Sequence, residues 1–280
     1  MINFLKTYLS QGFLSGISVH DIDIVKTQNG LAHQDKKLVF YVFTKQYSQP
    51  ALVIYASRQP QANSILEESI KSIELNQDCA PKILFKSYYQ DILFVGLEYI
   101  IGQSLQLTKR SDLDLAFAWL QARYQTGQHN SIKSLAGFYE VLEKKFSAIG
   151  LSLDPTWRNK INQLANFNLP TIAQHGDWQD NNVFVSDKKL KIIDWDDYGF
   201  IDWPLFDFST LYFKCWRKKV DANYLQGKKK EFFRAIALAE ISDDVLRVFY
   251  ELMNFLRKDK LHNKYERRQY YQALLKDLRK

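Results

Sequence analysis

Two carboxylates and a side-chain amide border short apolar runs between residues 175 and 194. The first group lies in His175-Gly176-Asp177-Trp178-Gln179-Asp180-Asn181-Asn182, and Asp194 closes the run Leu190-Lys191-Ile192-Ile193. This is the inventory that transfer of a phosphoryl group requires. The charge of that group sits on oxygen. The protein must therefore supply hard oxygen ligands for a divalent cation and a group that orients the attacking hydroxyl, with little covalent chemistry of its own. Asp177 can orient or accept a proton from such a hydroxyl, and Asn182 and Asp194 are oxygen donors suited to Mg²⁺. Val183-Phe184-Val185 and Leu190 to Ile193, joined by Ser186-Asp187-Lys188-Lys189, predict a β-hairpin with Asn182 at its entrance and Asp194 at its exit. The plainer alternative is a buried hairpin with a polar turn and a helix cap at Asp207.

The string H-G-D-x-x-x-x-N, then I-D-W, then Gly199 and Pro204-Leu205-Phe206-Asp207, resembles the aminoglycoside phosphotransferase and choline kinase superfamily. The resemblance implies an α+β, bilobal, protein-kinase-like fold. Its small N-terminal lobe has an antiparallel sheet and one helix, and its C-terminal lobe is larger and mainly helical. It further implies Asp177 as the catalytic aspartate, Asn182 and Asp194 as Mg²⁺ ligands, His175 as a brace of the catalytic loop, and Asp207 holding that loop from the next helix. ATP and Mg²⁺ are the implied cofactors, and a small molecule bearing a hydroxyl is the implied partner.

The elements that would position these residues fit the lobes. Apolar and β-branched runs at 21–26, 38–44, 51–56, 82–86 and 92–99 predict five strands, with turn signals at Asn29-Gly30 and Ser48-Gln49-Pro50. Between the third and fourth, Ser64-Ile65-Leu66-Glu67 is a candidate capping box, and Leu66, Ile70 and Ile73 repeat at helical spacing. An N-terminal nucleotide-binding lobe of residues 1–100 and a C-terminal catalytic and substrate-binding lobe of 101–280 are expected. Leu97 to Leu105 resembles the family's hinge, where the Glu98 carbonyl and an amide near Ile100 would recognise the adenine edge. From Asp112, a candidate cap, the chain turns helical, with Leu113, Phe117 and Leu120 on one face and further amphipathic stretches at 135–146 and 157–164.

The nucleotide side departs from the family's pattern. The loop from Gln28 to Asp35 carries one glycine, Gly30, where several usually let backbone amides approach phosphate. Tyr55 stands where the family places the lysine that pairs with the α/β-phosphates. Lys36 or Lys37 at the start of the second strand, or Arg58, are the alternative cations. Failing these, the chain is a degenerate module that binds nucleotide or metabolite without efficient transfer. Glu67 is the helix acid expected to partner such a lysine, with its capping role as the competing reading. A protein kinase is disfavoured, because Gln179 replaces the lysine expected two residues after Asp177 and no Ala-Pro-Glu follows Asp194.

Rings and acids after the hairpin (Trp195, Tyr198, Trp203, Tyr212, Phe213 and Trp216, with Asp196, Asp197 and Asp202) are either core or an acceptor pocket for an amino alcohol or a sugar. The net charge of +7 gives no overall acidity to attract polycations. Basic residues cluster at 214–219, 228–230 and 257–280, as a solvated helix face or as a peripheral contact with an anionic surface; no specific nucleic-acid module is indicated. With 280 residues and 46% hydrophobic content the chain can bury a sizeable core. No run reaches a membrane span, the start lacks the apolar segment of a secretory signal, and Cys79 and Cys215 stand far apart without metal-ligand spacing. A cytoplasmic protein with two reduced, packed thiols is expected.

Overall fold

In the computed structural model, the described residues are 1–27, 37–126, 132–134, 168–170, 172–199 and 205–258, with isolated positions between 140 and 159. The chain divides into two compact units. One is Met1–Gln103 with Lys191–Asp196, and the other is Ser104–Leu190 with Asp197–Lys280.

The first unit is built on five antiparallel strands: β1 (Ile22–Lys26), β2 (Lys37–Thr44), β3 (Leu52–Ser57), β4 (Ile83–Tyr89) and β5 (Ile92–Glu98). Their order in the sheet is β1-β2-β3-β5-β4. Alternation decides which side chains meet which helix. Phe40, Val42, Leu52, Ile54 and Ala56 pack with Leu5 and Leu9 of helix α1 (Ile2–Gln11) in one buried cluster. The opposite face carries Lys37, Val39, Tyr55 and Ser57, because directly paired residues of an antiparallel ladder share a face. Helix α2 (Asn63–Leu75) packs against β3 and β5 through Leu66, Ser69, Ile70 and Ile73.

Two sequence expectations are corrected in this unit. Helix α1 was not anticipated, since its buried face comes down to Leu5 and Leu9, one turn apart. The capping box at Ser64 and Glu67 does not form: a 3₁₀ turn at Pro60–Ala62 leads directly into α2, which starts at Asn63 and has no side-chain cap.

The second unit is helical around an aromatic core. Among the described residues its helices include α3 (Arg110–Thr126), α4 (Phe206–Arg217), α5 (Ala222–Ala235) and α6 (Asp243–Lys258), with α4 packed against α3, α5 and α6. Phe208 stacks on Phe232 with ring centres 4.1 Å apart, and Phe117, Phe233 and Tyr212 close around Phe208. Asp112 does not cap α3 from outside. It lies buried in the first turn, accepts the Gln106 backbone N–H and pairs with Lys109 at 2.9 Å.

Short strands complete the chain: β6 (Gln103–Ser104), β7 (Ile132–Ser134), β8 (Asn168–Pro170), β9 (Val183–Ser186) and β10 (Lys189–Ile192). The sheets are ordered β10-β9-β6 and β7-β8. The expected hairpin at 183–192 is present. Its two-residue turn, Asp187 and Lys188, has positive φ at both positions (49° and 59°), the conformation that matches strand twist. The expected helical stretches at 135–146 and 157–164 lie almost wholly outside the described residues.

Candidate functional site

In the second unit the loop 175–182 is held from below. The Asp207 carboxylate, in the first turn of α4, accepts the backbone N–H groups of His175 (2.6 Å) and Gly176 (3.1 Å), and the Asp207 N–H donates to the Gln174 side-chain oxygen at 3.2 Å. Burial pushes the Asp207 carboxyl above the usual range, against the opposing pull of His175, the two backbone N–H groups and Arg123. The fully buried His175 takes the Asp177 backbone N–H on Nδ1 at 3.2 Å.

The bend between them needs glycine. Gly176 has φ +83°, and a Cβ there would stand 2.7 Å from the Asp197 carbonyl oxygen. Beyond the bend, Asp177 is partly buried and accepts from the Gln179 side-chain nitrogen at 2.5 Å and from Asn182 Nδ2 at 3.1 Å. The same Asn182 nitrogen donates to the Asp177 carbonyl, also at 3.1 Å. The amide nitrogen of Asn182 is thus committed to Asp177, which turns its oxygen to the role of acceptor or metal ligand.

In the first unit a second cluster surrounds Lys37. Its Nζ lies 2.7 Å from Asp196 Oδ1, 3.0 Å from Asp194 Oδ1 and 4.0 Å from the centre of the Tyr55 ring. Ser69 of α2 donates its hydroxyl to the same Asp196 oxygen at 2.7 Å. Burial works against the charge on Lys37, but the carboxylates of Asp196 and Asp194 outweigh it and hold the ammonium above the ordinary lysine range. Burial likewise pushes the Tyr55 phenol up to about 12, so it is neutral at physiological pH. Asp194 adopts φ +63°, a left-handed conformation that costs an L-residue roughly 1–2 kcal/mol and that aspartate tolerates better than most.

The donors present suit Mg²⁺. Hard oxygens are present on Asp194 in the first unit, whose side chain is 41% exposed, and separately on Asn182 in the second. Mg²⁺ is commonly held by one or two protein oxygens with phosphates and water, so no dedicated cage is required. Among the described residues no group of three or more His, Cys, Asp or Glu side chains is placed to hold a metal.

The remaining sequence candidates fall as follows. Glu67 is exposed on α2 and accepts from the Tyr88 hydroxyl at 3.1 Å, so the acids beside Lys37 come from the segment after β10 and not from the helix. Arg58 is exposed at the end of β3. Lys36 and the loop 28–36 lie outside the described residues. Glu98 ends β5, its N–H bonded to the Lys82 carbonyl and its carboxylate to the Lys82 N–H, and Ile100 follows in the irregular stretch before β6.

Of the suspected acceptor rings, Trp195, Tyr212 and Phe213 are buried core, and only Trp216 is well exposed; Trp203 and Asp202 lie outside the described residues. Asp196, expected in an acceptor pocket, is instead bound to Lys37 and Ser69. Several basic residues are matched by acids: Lys214 by Asp180, Arg217 by Glu251, Lys228 by Asp114 and Glu231, and the 3%-exposed Lys229 by Glu240 and Asp243. The basic tail 259–280 lies outside the described residues.

Two residues were missed in the sequence. Arg123 of α3 donates to the Tyr198 hydroxyl at 2.8 Å and lies over both the Trp119 and Tyr198 rings, while Trp119 stacks on Trp178, next to Asp177. Ser69 was overlooked because a helix serine carries no signal of its own; its place on the Leu66-Ile70-Ile73 face was the available clue.

The profile of the phosphotransferase enzyme family matches residues 29–243. The chain belongs to that family. It is a small-molecule O-phosphotransferase of the aminoglycoside phosphotransferase and choline kinase superfamily, with the kinase-like α+β fold. Similar solved structures include an aminoglycoside 2′-phosphotransferase-IIIa mutant in complex with GDP, at 14% identity and TM-score 0.62, covering 99% of this chain and 96% of that one. A macrolide 2′-phosphotransferase from Brachybacterium faecium matches at 10% identity and TM-score 0.59, covering 95% and 96%. An aminoglycoside phosphotransferase from Streptomyces rimosus, in complex with ADP and streptomycin, matches at 14% and 0.53, covering 90% and 98%. No curated protein matches the chain. Among the described residues no helix is long and apolar enough to cross a membrane.

Proposed function

We propose that this phosphotransferase uses ATP and Mg²⁺ to phosphorylate a hydroxyl of a small molecule such as a choline-like amino alcohol or a sugar or aminoglycoside, in the cytoplasm. The observation that carries the reading is the loop in which Asp177, already fixed by Asn182 and Gln179, sits on amides anchored by Asp207. A carboxylate fixed in this way can align an acceptor hydroxyl and take up its proton as the phosphoryl group is transferred. Asn182 and Asp194 supply the oxygens that would hold Mg²⁺, which when bound neutralises charge on the phosphates. Backbone groups at Glu98 and Ile100 are the proposed contacts for the adenine edge. His175, through its Nδ1 contact with the Asp177 amide, keeps the loop in register.

The competing reading, a module that binds nucleotide without transfer, drew on the missing lysine at Tyr55. The ammonium of Lys37 over the Tyr55 ring supplies the charge that position lacks, which weakens that alternative.

A screen of ATP consumption against amino alcohols, monosaccharides, nucleosides and aminoglycosides tests the reading. Acceptor-dependent turnover that disappears in a folded Asp177→Ala variant is expected. Undiminished turnover in that variant would remove Asp177 from the chemistry.

A further inference from the structure

We propose that Lys37 is the cation that grips the phosphates of the nucleotide and that Asp196, backed by Ser69, is its positioning residue. The proposal rests on the nucleotide-dependent reading above and names the residues that serve its phosphate side.

The register of the sheet carries the first half. Lys37 pairs with Ser57, two residues from Tyr55 and on the same face, and its Nζ lies 4.0 Å from the Tyr55 ring centre. A lysine growing from position 55 would place its ammonium in the space that the Lys37 ammonium reaches from the neighbouring strand. Tyr55 forms one wall of that space, and its ring face attracts the cation. The exposed Arg58 lies at the end of β3, away from this packed position.

The helix acids Glu67, Glu68 and Glu74 are all exposed, and α2 presents Ser69 to this face instead. The Ser69 hydroxyl and the Lys37 ammonium meet on one oxygen, Asp196 Oδ1, at 2.7 Å each. The acid has therefore moved from the helix to the segment after β10, and the helix contributes a hydroxyl that fixes it.

Stability alone does not account for the cluster. Lys37 and Asp196 are 11% and 15% exposed, and removing such a pair from water costs about as much as their attraction returns. Asp194, the other acid on Lys37, is in a left-handed conformation, and strain of this kind gathers where function fixes the backbone. Two carboxylates converge on one ammonium. A polyphosphate can take over the Asp194 side of Lys37 while Asp196 keeps the side chain in place.

Calorimetric titration with ATP and Mg²⁺ tests the proposal without knowing the acceptor. Lys37→Met, which keeps the apolar stem, should weaken binding about 30-fold, the loss of one charge-assisted contact. Tyr55→Lys in the Lys37→Met background should restore at least a tenth of the wild-type affinity. Asp196→Asn should weaken binding severalfold in the wild type and add nothing to Lys37→Met, since it acts through that lysine. If Asp196→Asn melts early, Ser69→Ala, which removes one hydroxyl, runs the same cycle.

Wild-type affinity in a folded Lys37→Met protein would overturn the proposal. So would an equal loss at Lys36→Ala or Arg58→Ala in its place, additive effects of Lys37 and Asp196, or no rescue from position 55 in a folded variant. If the wild-type protein does not bind ATP, the nucleotide-dependent reading falls and takes this proposal with it. If it binds ATP and Lys37→Met binds equally, only the present proposal falls.

Discussion

The side-chain nitrogen of Asn182 donates to both the main-chain carbonyl and a carboxylate oxygen of Asp177, at 3.1 Å each. The two residues therefore behave as one unit. A change at position 182 reaches the proposed metal oxygen and the orientation of Asp177 together.

Asn182→Ala is expected to lower turnover by two orders of magnitude or more, as the aim of Asp177 and an oxygen donor are lost together; such misplacement costs about 10²-fold. The Mg²⁺ concentration for half-maximal rate should rise with it. Asn182→Asp keeps an oxygen but sets a second carboxylate against Asp177, and should also be impaired. Steady-state kinetics over a Mg²⁺ series measures both, and an unchanged Mg²⁺ requirement in Asn182→Ala would count against the metal role.

Asp207→Ala leaves the buried amides of His175 and Gly176 without their acceptor. Each buried donor left unpaired costs about 1–3 kcal/mol, so thermal unfolding should show a loss of at least that size. Asp207→Asn can still accept one of the two bonds. It should recover part of the stability while turnover stays low, because the loop keeps only one of its ties.

Gly176→Ala combines positive φ with a Cβ 2.7 Å from the Asp197 carbonyl. The left-handed conformation alone costs roughly 1–2 kcal/mol, and the clash adds to it. Denaturant unfolding should show a loss of about 2 kcal/mol or more. Turnover should fall further than the folded fraction does.

Asp114 gives an acid-side prediction. The hydrogen bond from Lys228 lowers its carboxyl below the usual range against the opposing effect of burial, and Tyr224 adds a second bond. A folded value below the unfolded one means that this pair stabilises the protein above the unfolded value, near ~4, and stops doing so as pH falls through the lower folded value. The gap in melting temperature between wild type and Asp114→Asn should therefore be present at pH 7 and close below about pH 4. As the carboxylate is half exposed, added salt should narrow the gap at pH 7. A gap that widens in acid would contradict the assignment.

Cys79 and Cys215 are both buried thiols outside any disulfide, and burial pushes the Cys215 thiol up to about 12. Alkylation by iodoacetamide at pH 8 should proceed slowly in the native protein and label both thiols after unfolding. Rapid native labelling would show that one of them is open to solvent.

How far the sequence could be read depended on where each signal resides. The five strands and the hairpin at 183–192 follow from periodicity and turn residues, and the structure places their ends within three residues of expectation; the helix between the third and fourth strands is present where Leu66, Ile70 and Ile73 indicated it. Asp177 and Asn182 stand within one loop, so the resemblance that implies their roles rests on a local string, and their mutual contact is legible from it. Helix α1 escaped because two buried leucines in ten residues make a weak pattern. The partner of Lys37 escaped for a different reason. Asp196 is far from it in sequence, and nothing at either position reveals a sheet register that lifts one lysine over Tyr55. Glu67 was preferred because a helix acid beside an apolar face is a local pattern, whereas the observed pairing is a matter of tertiary placement.

The Asp207 carboxylate bears on engineering. Residues 175–182 read as a self-contained cassette, yet two of their amides end on a side chain that arrives with helix α4, and Gln174 completes the tie. Moved alone into another scaffold, the cassette would arrive without its floor. A transplant that carries 174–182 together with the first turn of α4 is the smallest portable form of this loop.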